Sequence, residues 1–121
     1  MKKLVMFARA LADETRWRIL RLVADEALCV CELADILGLP QSTVSSHVQI
    51  VRRAGLLESE RCGKWTYFRI ARDRAELLRL LDTTFGGAPD ATRTRDIAKR
   101  TKRLGVRADS CCPGPKRLLR P

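Results

Sequence analysis

Residues 28–55, LCVCELADILGLPQSTVSSHVQIVRRAG, decide the fold. VCELADILG reads as a short helix halted at Gly38, the residue type most often found just past a helix end. GLPQ is a turn. QSTVSSHVQIVRRAG then brings Val44, Val48 and Val51 onto one side of a second helix. Ser42, Thr43, Ser45, Ser46, Gln49 and Arg52 lie elsewhere around that cylinder, and Gly55 ends it. Two short helices across a tight turn, the second polar on its outer side, predict a helix-turn-helix.

Downstream the period changes. LLESERCGKWTYFRI predicts two short strands around Cys62-Gly63-Lys64, with Trp65, Thr66, Tyr67 and Phe68 alternating after the turn. A hairpin after the two helices makes the unit a winged one. Upstream, KKLVMFARALA offers a broad apolar face of Leu4, Val5, Phe7, Ala8 and Leu11. ADETRWRILRLVADEA starts at an Asp13 N-cap and buries Trp17, Ile19, Leu20, Leu22 and Val23. Beyond the wing, RDRAELLRLLDTTFGG carries Leu77, Leu78, Leu80, Leu81 and Phe85, more apolar residues than one contact face needs. This excess predicts a dimer surface. GGAP breaks that helix, residues 91–104 read as a basic helix with a thin apolar side at Ile97 and Leu104, and CCPGPKRLLRP reads as a flexible tail. The expected fold class is mainly α with a β-hairpin, a homodimeric winged helix-turn-helix. Residues 1–88 would form the DNA-binding and dimerisation domain. Residues 89–121 would form a basic, partly flexible C-terminal extension carrying a Cys-Cys pair.

The chain has 121 residues, enough for one domain with a modest core. Hydrophobic residues at 45% exclude a disordered chain. No apolar run approaches the ~18 residues of a membrane span. The basic start and apolar stretch of the N-terminus mimic a signal peptide, but Arg9 interrupts the run and no small-residue cleavage site follows. A cytoplasmic protein is therefore expected. Net charge is +10, and it is unevenly placed: residues 1–92 hold 14 Lys/Arg against 12 Asp/Glu, residues 93–121 hold 10 against 2. Such a surplus favours an anionic partner, nucleic acid above all, over a merely solvating tail.

A major groove admits one α-helix whose short polar side chains approach base edges and phosphates. Gln41, Ser42, Thr43, Ser45, Ser46 and His47 are hydrogen-bonders of that kind. Arg52 and Arg53 would meet phosphates and set position without reading sequence. At the hairpin tip, Arg61 and Lys64 would clamp the flanking backbone or minor groove. Each feature alone also reads as a cap or a turn; their order points to duplex DNA. His47 is the only histidine, and a DNA-facing role is favoured for it over a lone ligand or a half-buried helix residue. A single histidine disfavours a nucleophilic triad and a histidine-based metal site, and no loop cradles phosphate. An enzyme is not expected.

The cysteines, at 29, 31, 62, 111 and 112, are odd in number, and four sit in pairs too close for an unstrained disulfide. Reduced thiols in a reducing compartment follow. Inside a helix, residues two apart point to opposite sides. At a helix entrance, Cys29 can lie outside the regular turns and swing its sulfur toward that of Cys31. Unpaired N–H groups there would favour the thiolate and lower its pKa, and thiolates select soft ions. Two sulfurs hold such an ion weakly. A third would come from Cys111 or Cys112, in the same subunit or across a dimer, or from Cys62, which otherwise reads as a bystander in the turn. Plain burial of Cys29 and Cys31 is the alternative.

ALADETRWRILRLV, LCVCELADILGLPQSTVSSHVQIVRRAGLL and GKWTYFRI resemble the ArsR/SmtB family of winged-helix repressors, in particular its arsenic-responsive branch, over about residues 4–72. The resemblance implies a homodimer on double-stranded operator DNA that represses resistance genes and lets go when a toxic ion binds. It carries the ligand role to Cys29 and Cys31. Where the branch often has a further cysteine, this chain has Ala34. Other members carry a C-terminal Cys-Cys pair that binds trivalent arsenic or antimony, which carries the role to Cys111 and Cys112. Zinc-type members place Asp and His ligands on the last core helix, and ELLRLLDTTF has no histidine to match. The resemblance implies no required cofactor and As(III) or Sb(III) as inducer. The alternatives are a divalent soft metal (cadmium, lead or zinc), thiol oxidation, or, least favoured, a small thiol enzyme such as an arsenate reductase.

Overall fold

Asp13 begins the part of the chain that settles the core. Its carboxylate accepts a hydrogen bond from Arg16 N–H at 3.0 Å and caps Glu14–Leu22 (α2), which follows Lys2–Leu11 (α1). The computed structural model describes residues 1–86, 90–109 and 113–118. After α2, Leu28–Cys29 (β1) leads directly into Val30–Leu37 (α3). Gly38, at φ +66°, turns the chain into Gln41–Arg53 (α4). Leu57–Cys62 (β2) and Trp65–Ile70 (β3) form the wing, Arg72–Gly86 (α5) follows, and Ala91–Gly105 (α6) leads to a short 3-10 turn at Arg107–Asp109.

The helix-turn-helix and wing stand where the sequence places them, but the sheet has a third strand. β1 pairs antiparallel with β3, giving the order β1-β3-β2. A two-residue strand carries too little pattern to be read ahead of time. The β2–β3 turn is tight, with Gly63 at φ +63°, a conformation that a side chain disfavours.

Cross-strand partners share a face of a sheet. Leu28 stands opposite Phe68, and Leu57 opposite Ile70, on the face that packs on the helices. Cys29, Tyr67 and Glu60 line up on the other face, where Cys62 stands opposite Trp65. The core lies between the inner face and α2–α4: Ile19, Leu33, Val44, Val48 and Val51 have no exposed surface.

The C-terminal extension is built onto this frame. α6 packs on α2 and α3, held by Arg18 to Asp96 at 2.9 Å and Arg100 to Asp25 at 2.7 Å. Residues 113–118, expected to be flexible, instead lie across the outer face of the sheet. Gly114 N–H donates to Tyr67 Oη at 2.8 Å, and Pro115 is buried. Backbone hydrogen bonds to side chains of a distant hairpin leave no periodic trace in sequence.

Truncating a fully buried leucine removes contacts and leaves a cavity. Leu33→Ala is expected to destabilise the fold by about 2–5 kcal/mol, read as a lower denaturation midpoint with an unchanged slope.

Candidate thiol site and nucleic-acid interface

Cys29 has two structural duties. As the last residue of β1 it pairs with Tyr67, and as the N-cap of α3 it sits outside the regular helix in extended conformation. Glu32, three residues on, completes a capping box: its Oε1 accepts from Cys29 N–H at 3.1 Å, and its own N–H points to Cys29 Sγ. This geometry frees the Cys29 side chain from helical spacing and brings Sγ within 3.1 Å of Cys31 Sγ. The entrance arrangement expected from C-x-C is the one observed.

The electrostatics differ from expectation. Cys29 is 2% exposed, and burial, then the contact with Cys31, pushes its thiol pKa up, against the lowering effect of the Glu32 N–H. Desolvation outweighs the helix terminus. At neutral pH Cys29 is therefore a protonated thiol.

Glu32, which is not among the site residues expected from sequence, has no exposed surface. Arg107 grips it bidentately, with Nε to Oε2 at 2.7 Å and Nη2 to Oε1 at 2.8 Å. Arg107 also donates to Ala27 O at 2.8 Å and lies over the Tyr67 ring at 5.3 Å. The spacing Cys29-x-x-Glu32 is a legible capping signal; Arg107, 75 residues away, gives none. Cys62 donates to Gly114 O at 3.3 Å, on the same outer sheet face as Cys29. Cys111 and Cys112 lie outside the described residues.

On α4, Gln41, Ser42, Thr43, Ser46 and Arg52 are exposed and Ser45 is half-buried. Ser46 Oγ donates back to Ser42 O at 3.0 Å. Arg52 leans toward the wing, 5.9 Å over the Phe68 ring. Arg61 and Lys64 are exposed at the hairpin tip, where Lys64 rests on the Trp65 ring at 5.1 Å. His47 is placed differently from expectation. Its Nδ1 lies 3.3 Å from Arg16 Nη1 and 3.9 Å from Asp13, so the ring faces α2 rather than the outer side of α4. Helical spacing sets it one position before the buried Val48, toward the core side.

Residues 13–59, from the cap of α2 into β2, match the family model described as bacterial regulatory protein, arsR family. An HTH-type transcriptional regulator of Methanocaldococcus jannaschii is 38% identical over 76 residues, 61% of this chain and 85% of that one. The chain belongs to the ArsR family. The arsenic resistance transcriptional regulator ArsR1 of Pseudomonas putida is 40% identical over 84 residues, 69% of this chain and 63% of its own length. The chain thus spans less than two thirds of that ArsR protein. Among solved structures, the homodimeric winged helix-turn-helix DNA-binding domain of a possible ArsR-family regulator from Mycobacterium bovis superposes with TM-score 0.65 at 31% identity. That match covers 69% of this chain and 78% of the other. A cadmium resistance transcriptional regulatory protein of Listeria innocua is 35% identical over 65 residues, 53% of this chain and 55% of that one. The protein is a winged-helix transcriptional regulator of the ArsR family. Among the described residues no helix is long and apolar enough to cross a membrane.

Burial and protonation both slow attack by a thiol. Iodoacetamide at neutral pH is expected to label Cys29 far more slowly than an exposed cysteine, and unfolding in denaturant should erase the difference; mass spectrometry of the labelled peptide reads both.

Proposed function

We propose that the protein is a dimeric repressor that holds operator DNA and releases it when trivalent arsenic or antimony binds Cys29 and Cys31. The observation that carries this reading is the pair of sulfurs 3.1 Å apart at the mouth of α3. Two sulfurs at about 2.3 Å from one ion, a usual metal–thiolate length, stand roughly 3.3 Å apart when the angle between them is near 90°. The pair fits a shared thiophilic ion with little movement. Arsenite reaches the site as neutral As(OH)3, so each thiol proton leaves with a hydroxide as water while an As–S bond replaces an As–O bond, with no net proton release.

A third sulfur from Cys111 or Cys112 of the same subunit completes the proposed set. Support comes from the residues on either side, since Arg107 is held on Glu32 and Gly114 on Tyr67. Both anchors adjoin Cys29. The DNA-contacting residues proposed are Gln41, Ser42, Thr43, Ser45 and Ser46 at the groove, with Arg52, Arg61 and Lys64 at phosphates. His47 would act by orienting α4 through Arg16. α3 packs on α4, so strain at the mouth of α3 shifts the reading helix. A coupling of about 1.4 kcal/mol changes DNA affinity tenfold.

Dimerisation follows from apolar surface on α1 and α5. Leu4, Leu80 and Phe85 are 62%, 61% and 82% exposed. Leu4, Met6, Phe7 and Leu77 line one groove of about 550 Å³ shared by these helices. A second copy covering this face would place two α4 helices on one duplex.

Arsenite added under reductant is expected to release the parent protein from operator DNA, and Cys31→Ser to stay bound; loss of DNA binding by both, or release of both, contradicts the assignment. Cadmium releasing the protein where arsenite does not would move the inducer to the divalent class. Leu77→Glu is expected to convert the dimer to monomer in sedimentation analysis.

A further inference from the structure

The outer face of the wing carries an acidic residue where a DNA-binding surface would repel one. Glu60 sits in the middle of β2 and is only 5% exposed. Its carboxylate accepts three backbone hydrogen bonds from the tail: Lys116 N–H at 2.6 Å, Arg117 N–H at 2.6 Å and Leu118 N–H at 3.1 Å. These bonds, that from Lys116 foremost, hold the Glu60 pKa below the usual carboxylate range. At the far end Arg69 donates to Leu118 O at 2.6 Å. The segment is fixed through its backbone, which leaves the side chains of Lys116 and Arg117 pointing outward. Arg117 is 81% exposed and its guanidinium stands 3.9 Å from Glu60.

Docking therefore reverses the sign of this face. A carboxylate is covered and two cations take its place, on the same hairpin whose tip displays Arg61 and Lys64. We infer that the docked tail is a third element of the wing and that Lys116 and Arg117 bind the phosphate backbone of duplex DNA beside the hairpin. The inference rests on the DNA-binding reading above and extends its footprint to residues outside the stretch that matches the family. Contacts of this kind add affinity but no sequence preference.

Lys116 and Arg117 are exposed, so replacing them leaves the fold intact. The probe is a mixed-sequence duplex, with affinity measured over a series of salt concentrations. Each phosphate no longer neutralised by a side chain lowers the slope of log affinity against log salt by about 0.9. K116Q/R117Q is expected to flatten the slope by close to that amount per phosphate; an unchanged slope overturns the inference. Glu60→Ala supplies a test of opposite sign. Removing an acidic group from a DNA-facing surface would by itself tighten binding, whereas freeing the tail from its anchor weakens binding and flattens the slope. Tighter or unchanged binding by Glu60→Ala overturns the inference. R61Q/K64Q serves as reference: a parent protein that binds duplex and shows a flatter slope only with R61Q/K64Q refutes the tail contact alone. A parent protein that binds no duplex refutes the DNA reading and the inference together.

Discussion

A carboxylate with no exposed surface cannot stay charged in a protein interior without partners, because the desolvation penalty is several kcal/mol. Glu32 meets that constraint from two directions. The N–H of Cys29 bonds it from within the helix-turn-helix, and Arg107 grips it from the C-terminal extension. One side chain thus ties together the cap of α3, the position of the thiol pair and the course of the chain after α6. Without Arg107 the carboxylate would keep the Cys29 N–H and, at 4.0 Å, Arg103; without the carboxylate Arg107 would lose its bidentate ion pair and keep Ala27 O and the Tyr67 ring.

The second tie is made by Glu60, with backbone donors in place of a guanidinium. Between them, the two glutamates lay the extension along α3 and then along the outer side of the sheet. The result is a wing with both faces covered: helices pack on the Phe68 side, and the tail on the Tyr67 side. The thiol site is walled by residues that come after α6.

Much of this is legible in the sequence. Val44, Val48 and Val51 recur at helical spacing because one side of α4 must be apolar, and Gly38 marks the end of α3 because a left-handed turn is needed there. The C-x-C pair announces an entrance geometry because no regular helix lets those two sulfurs meet. What escapes the sequence is long-range and polar. The bonds from Arg107 to Glu32 and from the tail to Glu60 join residues 75 and up to 58 positions apart, and ion pairs leave no period. The orientation of His47 escapes it for a related reason: a polar residue beside a core position is drawn inward when a partner, here Arg16, waits behind it. The thiol pKa runs against the sequence expectation because helix polarity is visible in sequence and depth of burial is not.

Cys29 closes a strand and opens a helix with its backbone, while its sulfur caps the Glu32 amide and meets that of Cys31. A hydroxyl of the same reach would accept the Glu32 amide at least as well and leave the strand pairing untouched. Backbone architecture and side-chain chemistry are therefore separable at this position by a single atom, and selection on stability alone would leave the choice between oxygen and sulfur open.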